Sequence, residues 1–383
     1  MRWLRDLARA APVSQWIFDA SPALPKLTIH LTPYVQLNAS SIDVRMTFAT
    51  NGANADAVLF KSQLAIGPVH LNRWRDKPIA SDVLGHLDLH HEDQTTALGS
   101  WREWSPVRDA VGEVQLWYTA LPEYTTQWDR CGAQVSLQEE EGGLLGAGLG
   151  FLPYPASDEL FDIRITWDLT HLAEGSQIIT SHGHGDASFH ARAEILLETG
   201  FAIGAVHSYE SSTHDFGYYY FANPSFNTTL LAQNLERMYT GMASFFHDPT
   251  KPFKVFLRHD RRRCASGNGL YRSFIYSYSD LFATPAPELY QLGFLAHETV
   301  HNWPVLEMEE TSLKDQWWTE GIADYYSVVL PYRLGIVGRD EFIEGMNYKI
   351  GAYFTNPAIN LTNDELVELF WEDHQAQKMI YER

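Results

Sequence analysis

His297-Glu298-Thr299-Val300-His301 is the stretch on which the reading of this chain turns. A helix completes a turn every ~3.6 residues, so two histidines four apart project from the same side. Pro287 fits the first turn of such a helix, and Pro304, just past Trp303, stops it. Between them Leu289, Leu292, Ala296, Thr299 and Trp303 form a stripe on the side away from the histidines. Two imidazoles held this way both reach one Zn²⁺ at about 2.0–2.1 Å. Glu298 lies roughly 100° round the helix from His297. There its carboxylate can hold a zinc-bound water and act as general base. The competing reading is an accidental pattern of exposed histidines in a chain that has 16 of them.

Downstream stands Trp317-Trp-Thr-Glu320-Gly-Ile-Ala-Asp324-Tyr-Tyr326, with 18 residues between His301 and Glu320. A catalytic zinc takes three protein ligands and keeps one position open. Glu320, on a neighbouring helix, supplies the third. Asp324 follows one turn later on the same face and can accept the other ring N–H of His297, fixing its tautomer. The alternative is a solvated acidic face. Trp317, Trp318, Ile322, Ala323, Tyr325 and Tyr326 argue against it, because an unpaired carboxylate among apolar groups is costly.

This pattern resembles the gluzincin metallopeptidases of the aminopeptidase N superfamily. His301-Asn-Trp303 and Trp318-x-Glu320-Gly321-x-x-x-Tyr325 look most like its glycyl aminopeptidase branch. The resemblance is specific over 297–326 and diffuse elsewhere. It implies an α+β multidomain chain: an N-terminal antiparallel β domain over 1–222, then a thermolysin-like α/β zincin domain over 223–383. It also implies one Zn²⁺ per chain and a peptide substrate. Ile380-Tyr381-Glu382-Arg383 looks like the family's Tyr-Glu-Lys/Arg motif, which would make Tyr381 the hydrogen-bond donor to the oxyanion.

Relatives carry Gly-x-x-Glu on an edge strand before the zinc helix, where the Glu binds the substrate's free amine. The counterpart here is Gly267-Asn-Gly269-Leu270-Tyr271-Arg272, with Tyr271 in place of Glu and a cation beside it. The backbone of 269–277 can still pair with an extended peptide by strand addition. Gly269, Leu270, Tyr271 and Arg272 are therefore the substrate-binding candidates, and exopeptidase against endopeptidase action stays open. Because relatives continue past the tyrosine motif, the chain is expected to stop inside its catalytic region.

The first half reads as β-structure. Leu27–Leu31, Ile42–Phe48, Glu113–Tyr118 and Phe161–Trp167 alternate with period two between Gly, Pro, Asn and Asp clusters. One buried face per strand predicts antiparallel sheets in a sandwich or saddle. The second half changes period: Leu230, Leu231, Leu235, Met238, Met242 and Phe245 recur at helical spacing, with Asn227 or Thr228 as N-cap. Short strands are expected at 253–258 and 273–279, and helices from Glu288 onward.

The 383 residues carry 28 Lys+Arg against 48 Asp+Glu, a net charge of −20. Such a balance disfavours nucleic acid, whose phosphates need a basic face. With 45% hydrophobic residues the chain can bury real cores. No run of 18 apolar residues offers a membrane span. The start, Met1 to Ala10, is interrupted by Arg5, Asp6 and Arg9; it lacks a secretory core and reads as a short surface helix, with a mitochondrial presequence as the alternative. Cys131 and Cys264 are expected as two reduced thiols of a cytoplasmic protein, with a single bridge between them as the alternative.

His182-Gly-His184-Gly-Asp186 and His86-x-x-x-His90-His91-Glu92 are expected as surface loops, and Arg258 with Arg261, Arg262 and Arg263 as ion-pairing groups. No Gly-x-Ser-x-Gly elbow is present. The expected activity is zinc-dependent peptide-bond hydrolysis, aminopeptidase-like. A zinc-bearing paralogue that binds peptides or acts as a scaffold, and an endopeptidase, are the alternatives.

Overall fold

The computed structural model describes residues 24–383 apart from 51–52, 68, 72, 97–98, 222–223, 249–251, 281–286 and 304–315. The expected N-terminal helix and the stop at Pro304 lie outside them. Among the described residues the chain is a mixed α+β protein with four sheets and six helices.

The period-two segments become strands. Lys26–Tyr34, Ser41–Ala49, Glu113–Ala120 and Leu160–Trp167 are the central members of a seven-stranded sheet. Their neighbours run antiparallel, except that Lys26–Tyr34 and Leu160–Trp167 pair in parallel. That parallel pair departs from the purely antiparallel expectation: the two strands are far apart in sequence, so no hairpin dictates their relative direction. Leu27, Ile29, Leu31, Val44 and Leu116 point inward from this sheet and meet Phe60, Leu89 and Trp104 of a second sheet in one core. The two sheets share this core because each must cover one apolar face.

The fourth sheet packs against the first two helices of the second half. Its strand order is His207–Glu210, Phe216–Tyr220, Phe253–His259, Ser273–Tyr278 and, at the edge, Ser266–Leu270. It draws its first two strands from before residue 222, so one continuous hydrogen-bonded sheet straddles the expected boundary. Odd and even positions of Phe253–His259 face opposite ways. Phe253, Val255 and Leu257 meet helices α1 (Thr228–Phe245) and α2 (Pro287–Val300). Phe256 instead joins Tyr219 and Ile275 against Leu145, Ala147, Ile179 and Ala202 of a third sheet. The sheet is buried on both faces: every position of Phe253–His259 but the last is buried, the charged Lys254 and Arg258 included.

Helix α1 starts as its sequence predicts, with the Asn227 side chain accepting from the Leu230 N–H. After α2 come α3 (Gln316–Arg333), α4 (Arg339–Thr355), α5 (Asn363–Leu369) and α6 (His374–Glu382). Thr362 and Glu365 form a reciprocal capping box at the start of α5.

Cys131 and Cys264 correct the expectation of two reduced thiols. They form a disulfide across 133 residues, with Cα atoms 6.1 Å apart. Sheet packing brings them together, which spacing along the chain does not reveal. No described helix is long and apolar enough to cross a membrane.

Candidate metal centre and active site

Leu295, Ala296 and Val300 are buried in the core that α2 shares with the fourth sheet, and Leu292 lies almost as deep. Anchored on that side, α2 turns His297 and His301 toward α3. The two ring Nε2 atoms lie 3.1 Å apart. From α3, Glu320 Oε2 comes to 3.0 Å from His297 Nε2 and 3.5 Å from His301 Nε2. Ligands of a tetrahedral zinc with bonds of 2.0–2.1 Å stand about 3.4 Å apart. These three atoms therefore match the base of such a tetrahedron, and among the described residues they form the one His/Cys/Asp/Glu group close enough to share an ion.

The donor chemistry fits a metal as well as the distances do. His297 Nδ1 lies 2.8 Å from Asp324 Oδ1, one turn beyond Glu320 on α3. A carboxylate accepts, so Nδ1 carries the hydrogen and Nε2 of the neutral ring presents a lone pair. That lone pair faces Glu320 Oε2, another acceptor, at 3.0 Å. Only a proton or a cation reconciles them. Burial works to lower the pKa of His297, yet its hydrogen bonds to Asp324 and Glu320 outweigh this and raise it to about 10. The same contacts hold the Glu320 carboxyl well below the usual carboxylate range despite its burial. The centre thus attracts positive charge, as a metal site must.

Glu298 is buried beside this group, and its desolvation lifts its pKa above the ordinary glutamate value. A raised carboxylate pKa suits a group that takes and returns a proton. Gly267 of the edge strand makes room for it: a β-carbon there would sit 2.0 Å from the Glu298 carboxyl carbon. Gly269, two residues on and on the same face, borders His301.

Tyr381 lies in α6, not at a loose end. Its ring stacks near His297 with centroids 6.2 Å apart. Burial first, then the charges of Glu320, Glu298 and Asp324, push its hydroxyl far above the usual tyrosine pKa. It therefore stays protonated and able to donate. The Arg383 side chain secures the helix end by bonding Leu361 O and Asn363 Oδ1.

The four substrate-binding candidates divide. Gly269 borders the metal group, whereas Leu270 packs into the core against Phe256 and Ile275. Tyr271 and Arg272 lie beyond the strand in its turn. The Tyr271 N–H donates to Glu198 O at 2.9 Å, and its ring stacks with His182, centroids 5.2 Å apart. The Arg272 guanidinium lies 5.5 Å from the centre of the Tyr271 ring. Tyr271 is thus taken up by the β-rich half of the protein rather than aimed at the metal group.

The two other histidine clusters lie largely at the surface, as expected, but not wholly in loops. His182 is sandwiched between Phe189 and Tyr271, and burial, with Lys254 and Arg272 nearby, depresses it to about 4. His86, His90 and His91 sit on strands Gly85–Leu87 and Leu89–Thr95, because the polar run pairs as an exposed sheet edge. Arg262 ion-pairs with Asp260 at 2.8 Å, and Arg258 bonds Ser136 O at 2.7 Å. Arg263 instead lies over the Trp128 ring.

Two features escaped sequence reasoning. The Gly267–Glu298 fit had only a glycine as its signal. The Lys349–Asp324 contact, at 2.6 Å, had none, since 25 residues separate the partners.

Residues 290–366, from within α2 into α5, match the family described as M61 glycyl aminopeptidase. This segment holds both histidines, Glu298, Glu320 and Asp324, and the match supports a peptidase. The chain also resembles the crystal structure of an aminopeptidase N family protein from Idiomarina loihiensis, with a TM-score of 0.70 and 14% identity. The alignment covers 93% of this chain and 64% of that one, so this chain spans less than two thirds of the length of its structural neighbour. At that identity the likeness is one of fold. No curated protein matches the chain.

Proposed function

We propose that this protein is a zinc-dependent peptidase, aminopeptidase-like, with His297, His301 and Glu320 as metal ligands and Glu298 as general base. The observation that carries the reading is the convergence of three ligand atoms within 3.5 Å of one another while Asp324 holds His297 in the ligating tautomer. Zinc, when bound, polarises the scissile carbonyl and makes a water acidic enough to attack near neutral pH. The Glu298 carboxylate takes a proton from the attacking water and delivers it to the leaving amine nitrogen. The Tyr381 hydroxyl donates to the developing oxyanion. The free edge of Ser266–Leu270 offers backbone groups to an extended peptide, the partner this reading requires.

Endopeptidase action is a second reading, favoured by one observation. Tyr271 stands where the resemblance calls for an amine-binding glutamate, and its ring is committed to His182. The expectation of a cytoplasmic location rested in part on reduced thiols. The Cys131–Cys264 bridge removes that footing and favours an oxidising compartment.

The test is metal analysis with a peptide panel. The purified protein should hold about one equivalent of zinc, lost to chelator together with hydrolysis. Glu298→Gln should keep the zinc and lose turnover; retained turnover would remove Glu298 from the base role. Cleavage of aminoacyl substrates alone marks an aminopeptidase, and cleavage of N-blocked peptides an endopeptidase. Zinc with no turnover of either marks a peptide-binding or scaffold paralogue.

A further inference from the structure

Asp324 has two carboxylate oxygens, and the structure assigns a partner to each. Oδ1 meets His297 Nδ1 at 2.8 Å, and Oδ2 accepts from Lys349 Nζ at 2.6 Å. Lys349 comes from α4, a helix on which no residue is fully buried. A helix so shallowly packed has few ways to influence a buried centre. Here one long side chain bridges the gap, with 34% of it exposed against 14% of the aspartate side chain.

We propose that Lys349 is a positioning residue of the metal centre, reaching from α4 to hold Asp324 so that His297 presents Nε2 to the ion. The inference rests on the reading of His297, His301 and Glu320 as metal ligands. Its physical basis is the cost of leaving half of a largely buried carboxylate unpaired. Without the ammonium, Oδ2 must find water, and the rotation that reaches it swings Oδ1 off Nδ1. The imidazole then loses both its tautomer and its fixed orientation. With Lys349 present, the carboxylate is clamped at both ends, and the ring is aimed before the ion arrives. Partners of ligating histidines change metal affinity roughly 10–100-fold when removed. A group one contact further out should act at the lower end of that span.

The experiment measures zinc affinity by competition with a chromogenic chelator, which needs no turnover. Lys349→Met should weaken zinc binding roughly tenfold. Lys349→Arg, which keeps charge and hydrogen bonding, should recover most of the loss. In an Asp324→Asn background, adding Lys349→Met should change nothing further, because the residue it acts through is already altered. Parent-like affinity in Lys349→Met would overturn the proposal, as would an equal loss with and without Asp324. Thermal unfolding of the metal-free protein separates positioning from general stability: a large fall in midpoint accompanying the affinity loss would also overturn it. Should Lys349→Met not fold, Lys349→Gln carries the same comparison. If the parent binds no zinc, the metal-centre reading fails and this inference falls with it. If zinc binds normally and only the Lys349 variants are silent, this inference alone fails.

Discussion

Gly267 and Glu298 are fitted to one another across the junction of the edge strand and helix α2. A β-carbon on Gly267 would stand 2.0 Å from the Glu298 carboxyl carbon and 2.2 Å from one of its oxygens. The strand that lies over the candidate active site and the group proposed as general base therefore occupy adjoining volumes with no room for a methyl group. Glycine is required here for close approach rather than for a left-handed backbone.

Gly267→Ala should displace Glu298 by the better part of an ångström while leaving the three ligands in place. Misplacement on that scale costs on the order of 100-fold in rate. The expected result is a fall of that size in kcat/KM at unchanged zinc content, checked by steady-state kinetics and metal analysis on the same preparation. Parent activity would show that Glu298 is not where the proton is moved.

Tyr381→Phe keeps the ring against His297 and removes only the donor. Loss of one oxyanion donor costs roughly 10²–10³ in kcat. We expect that loss with KM and thermal midpoint near parent values. A variant with full kcat would assign Tyr381 to packing alone.

The Cys131–Cys264 bridge closes a loop of 133 residues in sequence separation. On chain-entropy grounds a loop of this size is worth about 5 kcal/mol, with measured values commonly 2–4. Reduction, or Cys131→Ser with Cys264→Ser, should lower the unfolding midpoint measurably. Cys264 precedes the edge strand by two residues, so kcat/KM should fall too as Ser266–Leu270 loses its anchor. Identical melting curves with and without reductant would show that the bridge contributes no stability.

Glu140 supplies a pH prediction away from the candidate active site. Burial is the main influence on it; Arg258 and the His259 backbone N–H oppose this only in part, Asp260 adds to it, and the pKa rises from 4.5 to about 8. Oε1 has no hydrogen-bond partner. A folded-state pKa above the unfolded one means the folded protein holds this proton more tightly. The associated stability is fully present below about 4.5 and is lost as pH climbs through about 8. Glu140→Gln should therefore flatten the fall in melting temperature between these values and raise the midpoint at pH 9. An unchanged slope would place the proton elsewhere.

What could be read in advance was what lies within a few turns or strands. The His297–His301 pair follows from helical geometry alone, and the N-cap at Asn227 from its own side chain. Glu320 and Asp324 share a face because they are four apart. The period-two strands of the first half were equally legible, since one buried face imposes alternation. In the fourth sheet the strands at 253–258 and 273–279 were legible, whereas His207–Glu210, Phe216–Tyr220 and the edge strand Ser266–Leu270 were not. His182 departed from the surface expected of it because its neighbourhood is tertiary: it is sheltered by Phe189 and Tyr271, and only one of these is near it in sequence.

Sequence by itself determined the chemistry on offer: two imidazoles and a carboxylate at ligand spacing, a second carboxylate to orient one ring, and a glutamate beside them. Helical periodicity, which acts over a few residues and needs no partner segment, carries the His297–His301 pair and the Glu320–Asp324 pair; bringing the two pairs to one point takes the packing of α2 against α3. Tertiary structure alone decided that Gly267 makes space for Glu298, that Lys349 completes the grip on Asp324, that Tyr271 turns away to His182, and that Cys131 meets Cys264. Each of these joins segments whose separation along the chain says nothing of their separation in space, because packing of whole sheets and helices brings them together.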